Sequence, residues 1–230
     1  MRKESFSVGE FYHVYNRGVE KRNIFNEKKD WERFHKLLYL SNGTTPFRLS
    51  EIKSNSIYDF DRGEPLVAIG AYTLMPNHFH ILAKEIFENG LSIFIRRLSL
   101  GYSMYFNKKY ERVGPLLQGR FKAEHINRDE HLKYLYAYIH LNPVKLIEPK
   151  WKELGIKNEK KAMEFVKQYR FSSYGDYCGA ERLESKIICK TEFPKYFSKP
   201  HDFKVYVNDW LKLKPSVDHE SGTRDVAELR

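Results

Sequence analysis

Between residues 11 and 141 the chain alternates between segments with the two-residue period of a strand and segments with the 3.6-residue period of a helix. The strand-like segments are apolar or alternate apolar with polar residues, and they occupy residues 11–16, 66–75, 78–84 and 120–126. The helix-like segments carry apolar residues three and four apart, and they occupy residues 31–38, 91–105 and 129–141. The predicted order is therefore β-α-β-β-α-β followed by a further helix.

This order is typical of an α+β fold of the ferredoxin-like kind, in which helices pack on one face of an antiparallel sheet. Pro76-Asn77 lies between the second and third strands and predicts a hairpin turn. The pairs that stop the three helices are Asn42-Gly43, Gly114-Pro115 and Asn142-Pro143.

Residues 44–64 are polar and predict an inserted loop with room for a short turn of helix. A loop of this length is unusual in a compact domain, which indicates a functional or a mobile segment. We expect one domain over residues 1–148, a C-terminal extension over residues 149–213 and a flexible polar tail over residues 214–230.

The composition indicates a folded protein that meets a polyanion. Apolar residues make up 41% of the chain and aromatic residues 15%, which is too rich for a disordered protein. Forty Lys and Arg against thirty Asp and Glu give a formal net charge of +10, so nucleic acid is the favoured partner. The two cysteines form no metal-binding or disulfide pattern, and no apolar run approaches the ~20 residues of a membrane span. These features predict a cytoplasmic protein without membrane association.

His78-Phe79-His80 begins the third strand and is the first candidate metal site. Residues two apart in a strand share one face, so both imidazoles project together while Phe79 points to the opposite layer. Nine histidines in 230 residues make such a tripeptide unsurprising by chance, and a pair of hydrogen-bonded strand histidines is the alternative.

Tyr138 and Asn142 lie four residues apart and therefore share one face at the end of the third helix. If this helix packs beside the sheet, a nucleophilic phenol and a third metal ligand would meet the histidine pair. The alternative is that Tyr134 and Tyr138 are ordinary packing residues and that Asn142 before Pro143 only ends the helix.

Four ordered blocks of this sequence together resemble the HUH single-tyrosine transposases, and more narrowly the REP-associated tyrosine transposases. The blocks are FYHVYNRG at residues 11–18, MPNHFH at 75–80, GPLLQGRFK at 114–122 and YIHLNPV at 138–144. The stretch at residues 171–174 is similar to a Ser-Ser-Tyr element found downstream in such proteins. The chain departs from the family at Leu117 and Phe171, where a Trp is common, and in its long insertion.

The resemblance implies a metal-dependent endonuclease and strand transferase that acts on single-stranded DNA at hairpin-forming repeats. It implies that His78, His80 and Asn142 bind a divalent cation, Mg²⁺ or Mn²⁺, and that Tyr138 forms a 5′-phosphotyrosine intermediate. It also implies a ferredoxin-like fold, in agreement with the segment order, and a protein associated with the nucleoid of a bacterial-type cell.

Residues 91–128 contain eight basic and two acidic residues with aromatic residues between them, a combination suited to single-stranded DNA. Part of this charge is expected simply to solvate a helix face. The favoured DNA-binding residues are Arg17, Arg97, Arg120 and Lys122. His125 and His140 are candidates for a general base, each with an ordinary structural role as the alternative.

Two other functions are compatible with parts of the sequence. A protein of the same fold could bind repeat-DNA or RNA hairpins without catalysis. A histidine-triad nucleotide hydrolase is disfavoured, because the third alternating position of that motif, residue 82, is Leu. The sequence leaves both a monomer and a homodimer open.

Overall fold

The computed structural model describes residues 6–213. Its centre is an antiparallel sheet of four strands in the order β2-β3-β1-β4. The strands are β1 (Phe11–Arg17), β2 (Val67–Met75), β3 (His78–Glu85) and β4 (Lys122–Ile126). The α+β class and the antiparallel β-α-β-β-α-β order predicted from the sequence are confirmed.

Three long helices belong to the region predicted as the first domain, and four lie in the C-terminal extension. The first three are α1 (Lys28–Leu40), α2 (Gly90–Lys109) and α3 (Asp129–Leu141). The helices of the extension are α4 (Trp151–Leu154), α5 (Glu159–Gln168), α6 (Tyr174–Tyr177) and α7 (Pro200–Lys212). Within residues 6–213 no helix is both long and apolar enough to cross a membrane.

Alternation along β3 directs its side chains into two separate cores. Phe79 and Ile81 pack with α1 and α2 on one face, as expected for the ferredoxin-like arrangement. Leu82 packs with α3 and the extension on the other face. Helices therefore pack on both faces of the sheet, and not on one face only as the sequence predicted. Because β2 is buried at every position and β3 at most positions, helices must cover both faces of the sheet.

The extension also covers the β2 edge of the sheet. The backbone amide of Leu74 donates to the carbonyl of Phe171 at 2.9 Å, and that of Ser173 donates to the carbonyl of Tyr72 at 3.0 Å. These bonds occupy groups that an open edge strand would leave unpaired. The extension is thus attached to the sheet as well as to α3, and the boundary predicted at residue 148 stays a prediction.

The insertion at residues 44–64 contains two short 3-10 helices, Leu49–Glu51 and Ser54–Asp59. Ile57 and Tyr58 are buried in the core that contains α1 and α2. The expected short turn of helix is therefore present, and this part of the insertion contributes to the core. The tail predicted at residues 214–230 lies outside the described residues.

Candidate metal and tyrosine site

The register of β1 against β3 gathers the polar residues of the site on one face of the sheet. Tyr15 is paired with His80, and Arg17 with His78. Because alternate residues share a face, His13 lies on the same side as these four. The rings of His78 and His80 have centroids 5.0 Å apart, so the predicted histidine pair does share one face.

His78 is held by the hairpin turn that precedes it. The amide nitrogen of Asn77 donates to the carbonyl of Lys21 at 3.1 Å, which turns the amide oxygen toward His78 Nδ1 at 2.6 Å. That oxygen can only accept, so Nδ1 of His78 carries a proton and Nε2 keeps a free lone pair. Burial, with Lys145 and Arg17 nearby, lowers the pKa of His78 to about 4, so the imidazole is neutral at pH 7.

His80 is fully buried and is oriented by two residues that the sequence reasoning missed. Its Nδ1 lies 2.9 Å from Nε2 of His13, and Nδ1 of His13 lies 3.8 Å from a carboxylate oxygen of Glu124. If His80 donates from Nδ1, the remaining proton of His13 faces Glu124 and Nε2 of His80 is left with a lone pair. Burial holds the pKa of His80 well below its usual value. Nε2 of His80 is buried and has no hydrogen-bond partner among residues 6–213.

Asn142 presents a second buried atom without a partner. Its amide nitrogen donates to the carbonyl of Tyr138, one helical turn earlier, at 2.9 Å. This bond fixes the amide, and the opposite atom, Oδ1, is buried without a hydrogen bond to any described residue. A neutral imidazole nitrogen and an amide oxygen are both metal-ligand atoms. The donor types left open at His78, His80 and Asn142 thus fit a divalent cation.

Tyr138 lies beside the imidazoles within the same chain. Its ring centroid is 5.6 Å from that of His80 and 5.6 Å from that of His13, with both rings approached edge-on. The side chain is only 4% exposed. Burial raises the pKa of the Tyr138 phenol above its usual value, and the amide of Asn142 partly opposes this rise.

The ligand set remains a prediction. Across residues 6–213 there is no group of three or more His, Cys, Asp or Glu side chains arranged to hold a metal ion. A metal at this site would therefore depend on Asn142 as the third protein ligand beside two histidines. The spacing of four residues between Tyr138 and Asn142 could be recognised in the sequence, whereas the support from His13 and Glu124 could not.

Three of the four predicted DNA-binding residues lie at the end of the sheet near the site. Arg17 is paired with His78 and donates from Nε to the side chain of Gln118 at 2.6 Å. Lys122 is paired with Tyr15 and shares the face of His80, and Arg120 is exposed just before β4. The structure does not bring Arg97 to the site. It lies on α2, across the sheet, and its guanidinium donates to the carbonyl of Gly43 at 2.5 Å.

Neither candidate general base lies beside the Tyr138 hydroxyl. Nδ1 of His140 lies 2.7 Å from the carbonyl of Tyr136 and Nε2 lies 2.7 Å from the hydroxyl of Ser173, so both ring nitrogens have structural partners. His125 contacts Tyr12 on the face of the sheet opposite to Tyr138 and binds Glu10 at 2.6 Å. The positions of His125 and His140 therefore fit the ordinary structural role that was the alternative to a general base.

No protein-family profile and no curated protein matches the chain. Among solved structures it is similar to one described as a REP-associated tyrosine transposase bound to a REP hairpin. The TM-score is 0.49 at 15% sequence identity, and the match covers 80% of this chain and 88% of that chain.

Proposed function

We propose that the protein is a metal-dependent endonuclease and strand transferase that acts on single-stranded DNA at hairpin-forming repeats. Tyr138 is the nucleophile, and His78, His80 and Asn142 bind the cation. One observation carries the proposal: Nε2 of His80 and Oδ1 of Asn142 are buried ligand-type atoms with no hydrogen-bond partner among residues 6–213, and both belong to residues directly beside a buried tyrosine.

The donor chemistry of these two atoms supports a bound cation. A buried polar atom that stays unpaired destabilises a protein by about 1–3 kcal/mol, and both atoms belong to residues that contact Tyr138. A divalent cation would pair both, and nitrogen-rich ligation favours Mn²⁺ over Mg²⁺ in affinity. The contacts of His80 with His13, and of His13 with Glu124, would fix the orientation of the imidazole toward the ion.

The chemistry follows from the phenol beside the cation site. A bound divalent ion supplies Lewis-acid polarisation of the attacked phosphate. The phenolic oxygen of Tyr138 forms a bond to phosphorus, the bond from phosphorus to O3′ breaks, and the departing oxygen takes a proton as the phenol loses one. The DNA is left joined through its 5′-phosphate to Tyr138. A second 3′-hydroxyl can reverse the step, so cutting and joining share one covalent intermediate.

Charge supports DNA as the substrate. The chain carries a net charge of +10, and Arg17 and Lys122 lie on the same face of the sheet as His80. Phosphate contacts of this kind dominate affinity for nucleic acids and weaken as salt is added. Because these contacts do not involve Tyr138, we expect hairpin binding to persist in a variant that cannot cleave the DNA.

The test is formation of a covalent protein–DNA adduct. A labelled single-stranded DNA that folds into a hairpin is incubated with protein and Mn²⁺ or Mg²⁺, and the products are separated on a denaturing gel. We expect an adduct with the native protein and none with Tyr138→Phe. The matched control is Tyr134→Phe, one turn earlier on the same helix with its ring 6.0 Å from that of Tyr138, which should retain the adduct.

Two results would contradict the proposal. An adduct that persists in Tyr138→Phe would assign the nucleophile to another residue. Salt-sensitive hairpin binding by the native protein without an adduct in either metal would instead support a catalytically silent DNA or RNA hairpin-binding protein.

A further inference from the structure

The C-terminal extension places a lysine on the candidate nucleophile. Lys152 lies in α4, and its Nζ is 4.0 Å from the centroid of the Tyr138 ring. The neighbouring Trp151 is buried in the same core as Tyr138 and anchors this short helix. The position of the lysine is therefore fixed by packing of the extension against α3.

The charge of Lys152 also reaches the histidines. The ammonium contributes to lowering the pKa values of both His80 and His13, although burial is the larger cause for each. One cationic group thus lies close to the Tyr138 ring and also lowers the pKa values of His80, a predicted metal ligand, and of His13, its hydrogen-bond partner. A phosphate attacked by the Tyr138 hydroxyl would lie at the edge of the same ring.

Lys152 has no anionic partner within the described part of the chain. Among residues 6–213 its ammonium contacts the rings of Tyr138 and Trp151, and no carboxylate in that range forms an ion pair with it. Burial, with a smaller contribution from Lys145, lowers the pKa of Lys152 to about 7. A half-buried ammonium without a counter-ion is unfavourable, and an anionic ligand would relieve that cost.

We propose that Lys152 is a catalytic residue of the Tyr138 transesterification, and that its ammonium binds a non-bridging oxygen of the attacked phosphodiester. This inference rests on the proposed function and extends it to a residue outside the predicted ligand and nucleophile set. The ammonium stabilises charge on the phosphoryl group during attack by Tyr138 and again when the phenol departs in resealing. Donors that stabilise developing charge commonly contribute a hundredfold or more in rate.

The first test compares rates of adduct formation under single-turnover conditions. We expect Lys152→Met to lower the rate by about a hundredfold and Lys152→Arg to restore part of it, because arginine keeps a cation and donors at this position. Binding of the hairpin and of Mn²⁺ should change by less than about threefold, since many other phosphate contacts and all metal ligands remain. The matched control is Lys150→Met, which removes an exposed lysine two residues earlier.

The outcomes separate this inference from the function on which it rests. Adduct formation by Lys152→Met at the native rate would overturn the role of Lys152 while leaving the function intact. Absence of an adduct with the native protein would overturn the function.

A second measurement tests the contact without catalysis. Lysines are acetylated near pH 7 with and without the hairpin DNA and are quantified by mass spectrometry in Tyr138→Phe protein. Protection of Lys152 by the DNA, in excess of that at Lys150, supports the phosphate contact, and equal labelling with and without DNA overturns it.

Discussion

His35 predicts a measurable acid sensitivity of the fold. It lies on α1 with 2% exposure, and its ring centroid is 5.4 Å from that of Tyr72. Its Nε2 has no hydrogen-bond partner among residues 6–213. Burial, together with the positive charges of Arg182 and Arg170, lowers the pKa of His35 from 6.5 to about 3. The folded protein therefore resists a proton that the unfolded chain accepts.

The sign and size of the effect follow from that difference. Between pH 6.5 and pH 3 the unfolded state binds more protons at His35, so the free energy of unfolding falls as the pH is lowered. At pH 5 the loss is about 2 kcal/mol, because each pH unit below the unfolded pKa is worth ~1.4 kcal/mol. This value depends little on the folded pKa, provided that it lies below pH 5.

The assay is urea unfolding of the native protein and His35→Gln at pH 7.5 and pH 5. Glutamine does not titrate, so any change in the free energy of unfolding that arises from its different shape is the same at both pH values. We expect His35→Gln to gain about 2 kcal/mol relative to the native protein on going from pH 7.5 to pH 5. Replacement of the exposed His201 by Gln is the control and should show no such gain. A gain below about 0.5 kcal/mol for His35→Gln would show that the folded protein accepts the proton readily and would refute the reasoning.

Two further substitutions test the supporting structure. His13→Phe should lower Mn²⁺ affinity by about 10–100-fold in calorimetric titration, because it removes the hydrogen-bond partner of His80 Nδ1. His13→Gln keeps a polar partner and should lower the affinity less. Equal affinities in the native protein and both variants would exclude a supporting role for His13. Gly70→Ala should destabilise the protein by about 1–3 kcal/mol in urea unfolding, because the added Cβ would lie 2.6 Å from the ring of Phe193. Phe193→Leu should reduce that cost, and an unchanged cost would locate the strain elsewhere.

The sheet and the main helices could be predicted from the sequence because local periodicity and turn residues determine them. The third helix occupies Asp129–Leu141, as its apolar spacing indicated, and β1 extends only to Arg17, one residue beyond the predicted end. The second helix ends at Lys109, before the stop predicted at Gly114-Pro115, and Phe106 in its last turn still packs into the core. Elements of this kind depend on neighbours within a few residues.

The contacts that complete the candidate site could not be predicted in the same way. His13 meets His80 across a sequence separation of 67 residues, and the approach of Glu124 depends on the register of β4 against β1. Lys152 carries no sequence signal, since a lysine in a basic chain is unexceptional until the path of the extension is known. The position of Arg97 could not be predicted either, because its guanidinium donates to the carbonyl of Gly43, a residue 54 positions earlier.

The extension covers the sheet and also packs against the helix that carries Tyr138. Tyr138 is on a helix that packs against β3 on one side and shares a core with Phe203 and Val207 of α7 on the other. The same extension hydrogen-bonds the edge of β2 through Ser173 and supplies Lys152 over the phenol ring. A tyrosine held from both sides loses little conformational freedom on reaching the histidines, which is the condition for efficient attack within one chain. The placement of Tyr138 therefore involves the packing of residues that lie after it in the sequence, although the residues proposed for metal binding and nucleophilic attack all precede them.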